Sequence, residues 1–286
     1  MSSQTPNILA VSVLTPPHCQ SQETLTLAAE NWTSHFDASF RAKVRRVFRN
    51  AGVEKRYTVL PIESVFENRT LTDKNAIYQS VVVDYCETVL KKALEKAGLT
   101  PQDIDCLITT SCTGHMSPSI DAHLINRLEM RPDTQRLPVM EMGCMAGANG
   151  LIYAENYLKA YPDKYVALIA AELTTLTFQS EDYSWANIVS AGIFADGVAC
   201  AILGPKNNSQ PKPAIKRSQM LHLPDTINLL GFNLGSTGFH MVLDETLPDA
   251  IAEQFEAYTH SFLAQKGWRL EELSYAIVHP GGKNMK

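Results

Sequence analysis

The chain has 286 residues, 45% hydrophobic and 19% charged, and its 25 Lys and Arg against 30 Asp and Glu leave a formal net charge of −5. Such a chain can bury a large core without disulfides or metals, and its composition excludes intrinsic disorder. The mild acidic excess removes the electrostatic drive for general nucleic-acid or anionic-membrane binding. The longest apolar runs, such as Tyr165 to Ala171, fall well short of the roughly 18 residues a membrane helix needs.

Asn7 to Leu14 reads as an opening β-strand stopped by Pro16 and Pro17, and Leu25 to Asn50 has helical spacing with charges on one side. Asn75 to Gly98 predicts a long amphipathic helix, with Val81, Tyr85, Val89 and Leu94 near the 3.6 period and Gly98 at its end. Ile104 to Thr110 is a short buried strand. A second, Leu137 to Met142, runs into a helix of small residues from Met145 to Tyr161. Tyr165 to Glu172 and Val198 to Leu203 complete the strands, and the alternation favours a layered α/β architecture. Gly204 to Lys216, polar and proline-rich, is the one linker-like stretch.

The N-terminal MSSQTPNILAVSVL has neither a basic region nor a small-residue cleavage site, so no secretory signal is expected. Cys19, Cys86, Cys106, Cys112, Cys144 and Cys200 are scattered without CxxC pairing and read as free thiols of a reducing cytoplasm.

An internal echo organises these elements. Residues 93–112 (ALEKAGLTPQDIDCLITTSC) and 262–281 (FLAQKGWRLEELSYAIVHPG) align on Gly98 and Gly267, each running helix, Gly, acidic turn, apolar strand. Leu94/Leu263 and Ile108/Ile277 are also identical. If the halves are duplicates, residues 1–205 form the first and 206–286 begin the second. The second would then stop about 90 residues before the point the first reaches.

Cys144, in EMGCMAGANG, stands after an apolar strand at the mouth of a helix, where unpaired N–H groups and the positive helix end favour thiolate. Gly143, Gly147 and Gly150 allow close approach of backbone or substrate. A free cysteine is more often a buried structural residue, but the strand–Gly–Cys elbow argues for a nucleophile. His279, in AIVHPGG, suits a base exposed by a turn at a strand end, although a His satisfying backbone groups fits equally well. A pseudo-twofold would bring the two strand ends together. His115 and His123 are eight apart and no cluster has metal-ligand spacing, so no metal is expected. There is no phosphate-binding Gly loop or dinucleotide fingerprint.

The run TTSCTGHMSPSIDAHLINRLEMRPDTQRLPVMEMGCMAG, followed by AAELTTLTF, AGIFADGVACAILGP, GSTGFHMVLDE and IVHPGG, resembles the type III polyketide synthases, the chalcone synthase-like family, in its microbial branch. The resemblance spans about residues 8 to 282. It implies a thiolase-like fold, a duplicated α/β/α/β/α five-layered sandwich whose second half is incomplete here, usually a homodimer. It implies that Cys144 takes a starter acyl group from coenzyme A, and that His279 holds the thiolate as an ion pair and helps bind the thioester carbonyl. Phe194 and Phe239 match the gatekeeping phenylalanines between the CoA tunnel and the cavity. Cys112 matches a cavity position often Thr in plant members, Thr177 and Leu230 match positions that shape cavity volume, and Ser117 falls where plant members carry an intersubunit Met. Lys43 and Arg46 match CoA-contacting positions, and Arg49, on the same predicted basic face, is added from spacing alone.

The implied chemistry needs no resident cofactor: malonyl-CoA and acyl-CoA thioesters are substrates. Malonyl-CoA loses CO₂ to give an enolate that attacks the Cys144 thioester, lengthening the chain by two carbons before cyclisation or release. Two family motifs are missing, an Asn well past the His and a Gly-Pro-Gly loop. Asn284, five residues past His279, does not fill that role. Losing such a donor costs on the order of 10²–10³ in rate, so this chain is expected to be inactive or impaired alone. The alternatives are a ketoacyl-carrier-protein synthase III-like condensing enzyme, a non-catalytic remnant pairing with a full-length homologue, and a Cys-His hydrolase.

Overall fold

The computed structural model describes residues 5–205 and 211–279. A five-stranded sheet lies at its centre, in the order β1 (Asn7–Leu14), β7 (Asp196–Gly204), β6 (Val166–Leu173), β4 (Cys106–Ser111), β5 (Gln135–Met140). β6, β4 and β5 are parallel, whereas β7 runs antiparallel to both its neighbours. Every residue of β4 is buried, because helices cover both faces of the sheet. Its alternate side chains feed two cores. Leu107 joins Ala167, Ile169, Cys200 and Ile202 beneath the long helix α4 (Leu71–Ala97), whose Tyr78, Val82, Cys86, Val89 and Leu90 point inward. Cys106 and Ile108 join Val139, Val166, Leu168 and Leu203 under α6 (Ala146–Ala160) through Ala154 and Leu158.

Helix α4 begins at Leu71, four residues before the predicted Asn75, because a capping box closes its first turn: the Thr70 hydroxyl accepts from the Asp73 amide and the Asp73 carboxylate from the Thr70 amide, each at 3.2 Å. Gly98 ends it at φ +68, where a side chain would be strained. The helical spacing over Leu25 to Asn50 resolves into α1 (Gln22–Trp32) and α2 (Ala38–Asn50). The break lies at Thr33 to Asp37, whose Asp37 carboxylate caps α2 by accepting from the Phe40 amide at 2.9 Å. A third core of Leu25, Ala29, Val44, Phe48 and Ile188 packs these helices on α7 (Trp185–Ile193). The short antiparallel pair β2 (His18–Ser21) and β3 (Lys55–Thr58), and helices α3 (Ile62–Val65) and α5 (Ile120–Arg127), fill the margins.

Part of the proline-rich stretch lies outside the described residues. The rest runs beside the start of β1, with the Ile8 amide donating to the Pro213 carbonyl at 2.8 Å and the Ile215 amide to Pro6 at 2.9 Å. Beyond it come the hairpin β8 (Leu230–Gly235) and β9 (Gly238–Leu243) and the helix α8 (Leu247–Ala264).

The echo extends into backbone geometry. Gly98 and Gly267 have φ +68 and +70, and the amides after them, of Leu99 and Trp268, donate back to Leu94 and Leu263 at 3.0 and 3.1 Å. Two residues on, Thr100 and Arg269 donate their amides to Asp103 and Glu272 carboxylates at 2.7 and 2.9 Å. The copies then part. After Ile104 the chain enters β4, between two strand neighbours. After Leu273 the expected strand does not form, and Tyr275, Ile277 and Val278 are exposed. Among the described residues no strand flanks that segment to receive its hydrogen bonds, and strand formation needs such a neighbour.

Candidate active site

The three parallel strands end on the same edge, the usual place for ligands in such sheets. After β4 come Cys112 and Thr113; after β5 comes Cys144; Glu172 lies at the end of β6. The turn into α6 is sharp: Glu141 at φ +64 and Gly143 at φ +54 both adopt left-handed backbone, and a single 3₁₀ turn, Gly143–Met145, carries Cys144 to the helix mouth. Open space surrounds a Cβ at Gly143, so its torsion and not crowding calls for glycine. Gly150 answers a different need, since a Cβ there would meet Leu168 Cδ1 at 2.4 Å, and α6 lies that close to β6. Gly147 faces open space.

Cys144 is exposed, yet its thiol is pushed above the ordinary cysteine range, first by burial of the sulfur's surroundings and then by the charge of Glu172. The helix mouth therefore does not by itself deliver the thiolate anticipated from sequence: burial, and after it a carboxylate from a strand two places away, hold the thiol up. Glu172 receives the Cys112 amide at 3.1 and 3.2 Å, the Thr113 hydroxyl at 2.8 Å and the Cys112 thiol at 3.6 Å. Burial nevertheless dominates and raises its carboxyl to about 7, with those hydrogen bonds opposing the shift. Cys112 is pushed well above the thiol range by burial and then by Glu172. Thr113 passes the network on by accepting the Leu173 amide at 2.8 Å. Behind it the buried Tyr78 hydroxyl bonds Ser111 at 2.7 Å, and its ring lies flat on Gly114, where a Cβ would meet Tyr78 Cγ at 2.1 Å.

Thr177 and Phe194 line one cavity of about 30 Å³ with Arg56, Thr58 and Phe178. Asp196 laces its wall together, accepting the Val59 amide at 2.7 Å, the Thr175 amide at 2.8 Å and the Thr175 hydroxyl. The Phe194 carbonyl accepts from buried Arg56 at 3.1 Å, and burial lowers that guanidinium to about 10. Phe239 is half-buried on β9 with its ring edge-on to Phe232 at 5.9 Å, and Leu230 is exposed at the start of β8. Lys43, Arg46 and Arg49 are all exposed on α2, whereas their neighbour Arg45 is engaged by Glu30, the second bond being 3.0 Å. Helix α2 lies against α7, with Val47 Cγ1 at 3.3 Å from a Cβ at Gly192, two residues before Phe194. Ser117 is exposed.

His279 lies at the other end of the chain, exposed in the irregular segment after Leu273. The groups that shift Cys144 are its own surroundings and Glu172, and His279 is not among them. The structure thus gathers Cys112 and Cys144 around Glu172, and Thr177 with Phe194, while among the described residues no hydrogen bond joins His279 to Cys144. Sequence reasoning overlooked Glu172 and Thr113. The available signal was a carboxylate closing the apolar run VALIAAE, residues 166–172, where solvation alone would not put one.

The family model for chalcone and stilbene synthases, N-terminal domain, matches residues 2–207. A 1,3,6,8-tetrahydroxynaphthalene synthase of Streptomyces peucetius subsp. caesius is 37% identical over 281 residues, covering 96% of this chain and 74% of the relative. The chain belongs to the chalcone and stilbene synthase family. Among solved structures, the 1,3,6,8-tetrahydroxynaphthalene synthase of Streptomyces coelicolor A3(2), a bacterial type III polyketide synthase, superposes with a TM-score of 0.90 at 28% identity. That match covers 98% of this chain and 79% of the other. PKS-I of the brown alga Ectocarpus siliculosus gives a TM-score of 0.92 over 100% of this chain and 79% of its own, at 23% identity, a likeness of fold. The fold is thus the thiolase-like fold of the type III polyketide synthases, and the chain is a member of that family of acyl-transferring condensing enzymes. Among the described residues no helix is long and apolar enough to cross a membrane.

Proposed function

We propose that this chain uses Cys144 to take a starter acyl group from an acyl-CoA and extends it by decarboxylative condensation with malonyl-CoA, the product then being cyclised or released. The observation that carries this reading is the placement of an exposed cysteine on the 3₁₀ turn before α6, at the edge where three parallel strands end and beside a buried carboxyl poised near neutrality. Burial and Glu172 both oppose the thiolate, so a cation must supply the balance. His279 is the residue proposed to do so, as the ion-pair partner of Cys144. Cys112, Thr177 and Leu230 shape the acyl cavity, Phe194 and Phe239 gate it, and the exposed Lys43, Arg46 and Arg49 receive the phosphates of CoA.

The same reading divides the chain at residues 1–205 and 206–286, gives it a homodimeric assembly with no nucleic-acid or membrane partner, and places it in the cytoplasm. The test is incubation with a panel of acyl-CoAs and malonyl-CoA, followed by intact-mass and product analysis. The expected result is an acyl adduct lost in Cys144→Ala, and an adduct that survives this change overturns the assignment.

A further inference from the structure

Lys74 is the feature of the fold that the reaction does not account for. It is 7% exposed, and burying an ammonium costs several kcal/mol unless its donors are met. All three are met: Nζ donates to the Phe178 carbonyl at 2.7 Å, to Gln179 Oε1 at 3.1 Å and to the Thr237 carbonyl at 2.9 Å. Gln179, 3% exposed, completes the unit by donating from Nε2 to the Thr177 carbonyl at 2.9 Å and to the Phe239 carbonyl at 3.1 Å. One amide thus touches the backbone of both Thr177 and Phe239. Asn187 fixes Gln179 in turn, donating to its carbonyl at 2.7 Å.

The hairpin is brought close to receive these bonds. Gly238 sits at φ +130, and a Cβ there would meet Gln179 Nε2 at 2.9 Å, so a side chain is excluded by torsion and by contact. A two-stranded ribbon has little stability of its own, and Leu230 and Leu234 on β8 are exposed. Apolar packing would leave such a ribbon free to slide, whereas directional bonds hold it at one position.

We propose that Lys74 and Gln179 form a buried strut that sets where Phe239 stands against the Thr177–Phe178 wall, and thereby which starter acyl groups the site admits. They are positioning residues, acting through Phe239, and the proposal rests on the reading of Phe239 as a gate.

The test compares the full chain with Lys74→Met, Gln179→Leu, Lys74→Arg and Phe239→Ala. Two quantities are read: hydrogen exchange of the 230–243 amides, and the ratio of Cys144 acylation rates with dodecanoyl-CoA and acetyl-CoA. Lys74→Met and Gln179→Leu are expected to speed hairpin exchange about tenfold while leaving β4 and β6 protected. They are also expected to shift the acylation ratio about fivefold in the direction of Phe239→Ala, with no further shift in the Lys74→Met/Phe239→Ala double variant. Lys74→Arg is expected to restore both quantities. If Lys74→Met does not fold, Gln179→Leu, which keeps the ammonium and two of its acceptors, carries the same expectation. An unchanged ratio in the strut variants beside a shifted one in Phe239→Ala overturns the strut and leaves the gate standing. An unchanged ratio in Phe239→Ala, or no wild-type adduct at all, overturns the gate and the strut with it.

Discussion

Glu172→Gln separates the electrostatics of the proposed site from its shape. The substitution can keep a carbonyl oxygen at the Oε2 position, which the Cys112 amide and the Thr113 hydroxyl both reach, and it replaces the other carboxylate oxygen by an uncharged NH2 group. In the fold the carboxyl sits at about 7, against an ordinary value of 4.5, so the folded chain holds this proton more tightly than the unfolded one. Its contribution to stability is therefore fully present below the unfolded value and is lost as pH rises through the folded one. The swing corresponds to about 3 kcal/mol between pH 4 and pH 8.5. Urea denaturation of both proteins at pH 5 and pH 8.5 reads it directly. The variant should match the wild type near pH 5 and exceed it by about 2–3 kcal/mol at pH 8.5. The charge also holds up both thiols, so alkylation of Cys144 at pH 8 should be faster in the variant. A stability difference that does not change with pH, or a wild type that is the more stable at pH 8.5, would refute the reasoning.

Two other changes address binding and packing. Lys43→Glu with Arg46→Glu reverses two exposed charges on α2; it should leave the urea midpoint unchanged and raise KM for malonyl-CoA about tenfold, and an unchanged KM counts against the phosphate-binding face. Gly114→Ala drives a methyl into the ring of Tyr78; it should cost about 3 kcal/mol or more in urea denaturation, and a loss below about 1 kcal/mol would mean that the ring moves aside.

The sheet and its covering helices were legible because each carries its own periodicity, and β1 spans the very residues expected, Asn7–Leu14. The echo was legible too, since the left-handed glycines and acidic turns are local chemistry repeated in sequence. What depends on neighbours was hidden. Whether Leu273 to Val278 forms a strand is decided by what lies beside it, and apolarity alone cannot supply that. The surroundings of Cys144 depend on neighbours in the same way, since burial is the first cause of its raised thiol and Glu172 the second. The helix mouth is a local feature, whereas Glu172 reaches the cysteine only because β4, β5 and β6 end together. The Thr33 to Asp37 break was within reach, because an Asp three residues before Phe40 is a recognisable cap.

The most direct test of the account is peptide mapping of the protein after brief exposure to an acyl-CoA. Cys19 is also exposed, and Cys112 shares the Glu172 network, so each is a competing target. The account predicts the acyl group on Cys144 alone. An adduct on Cys112 or Cys19 with Cys144 unmodified would contradict it.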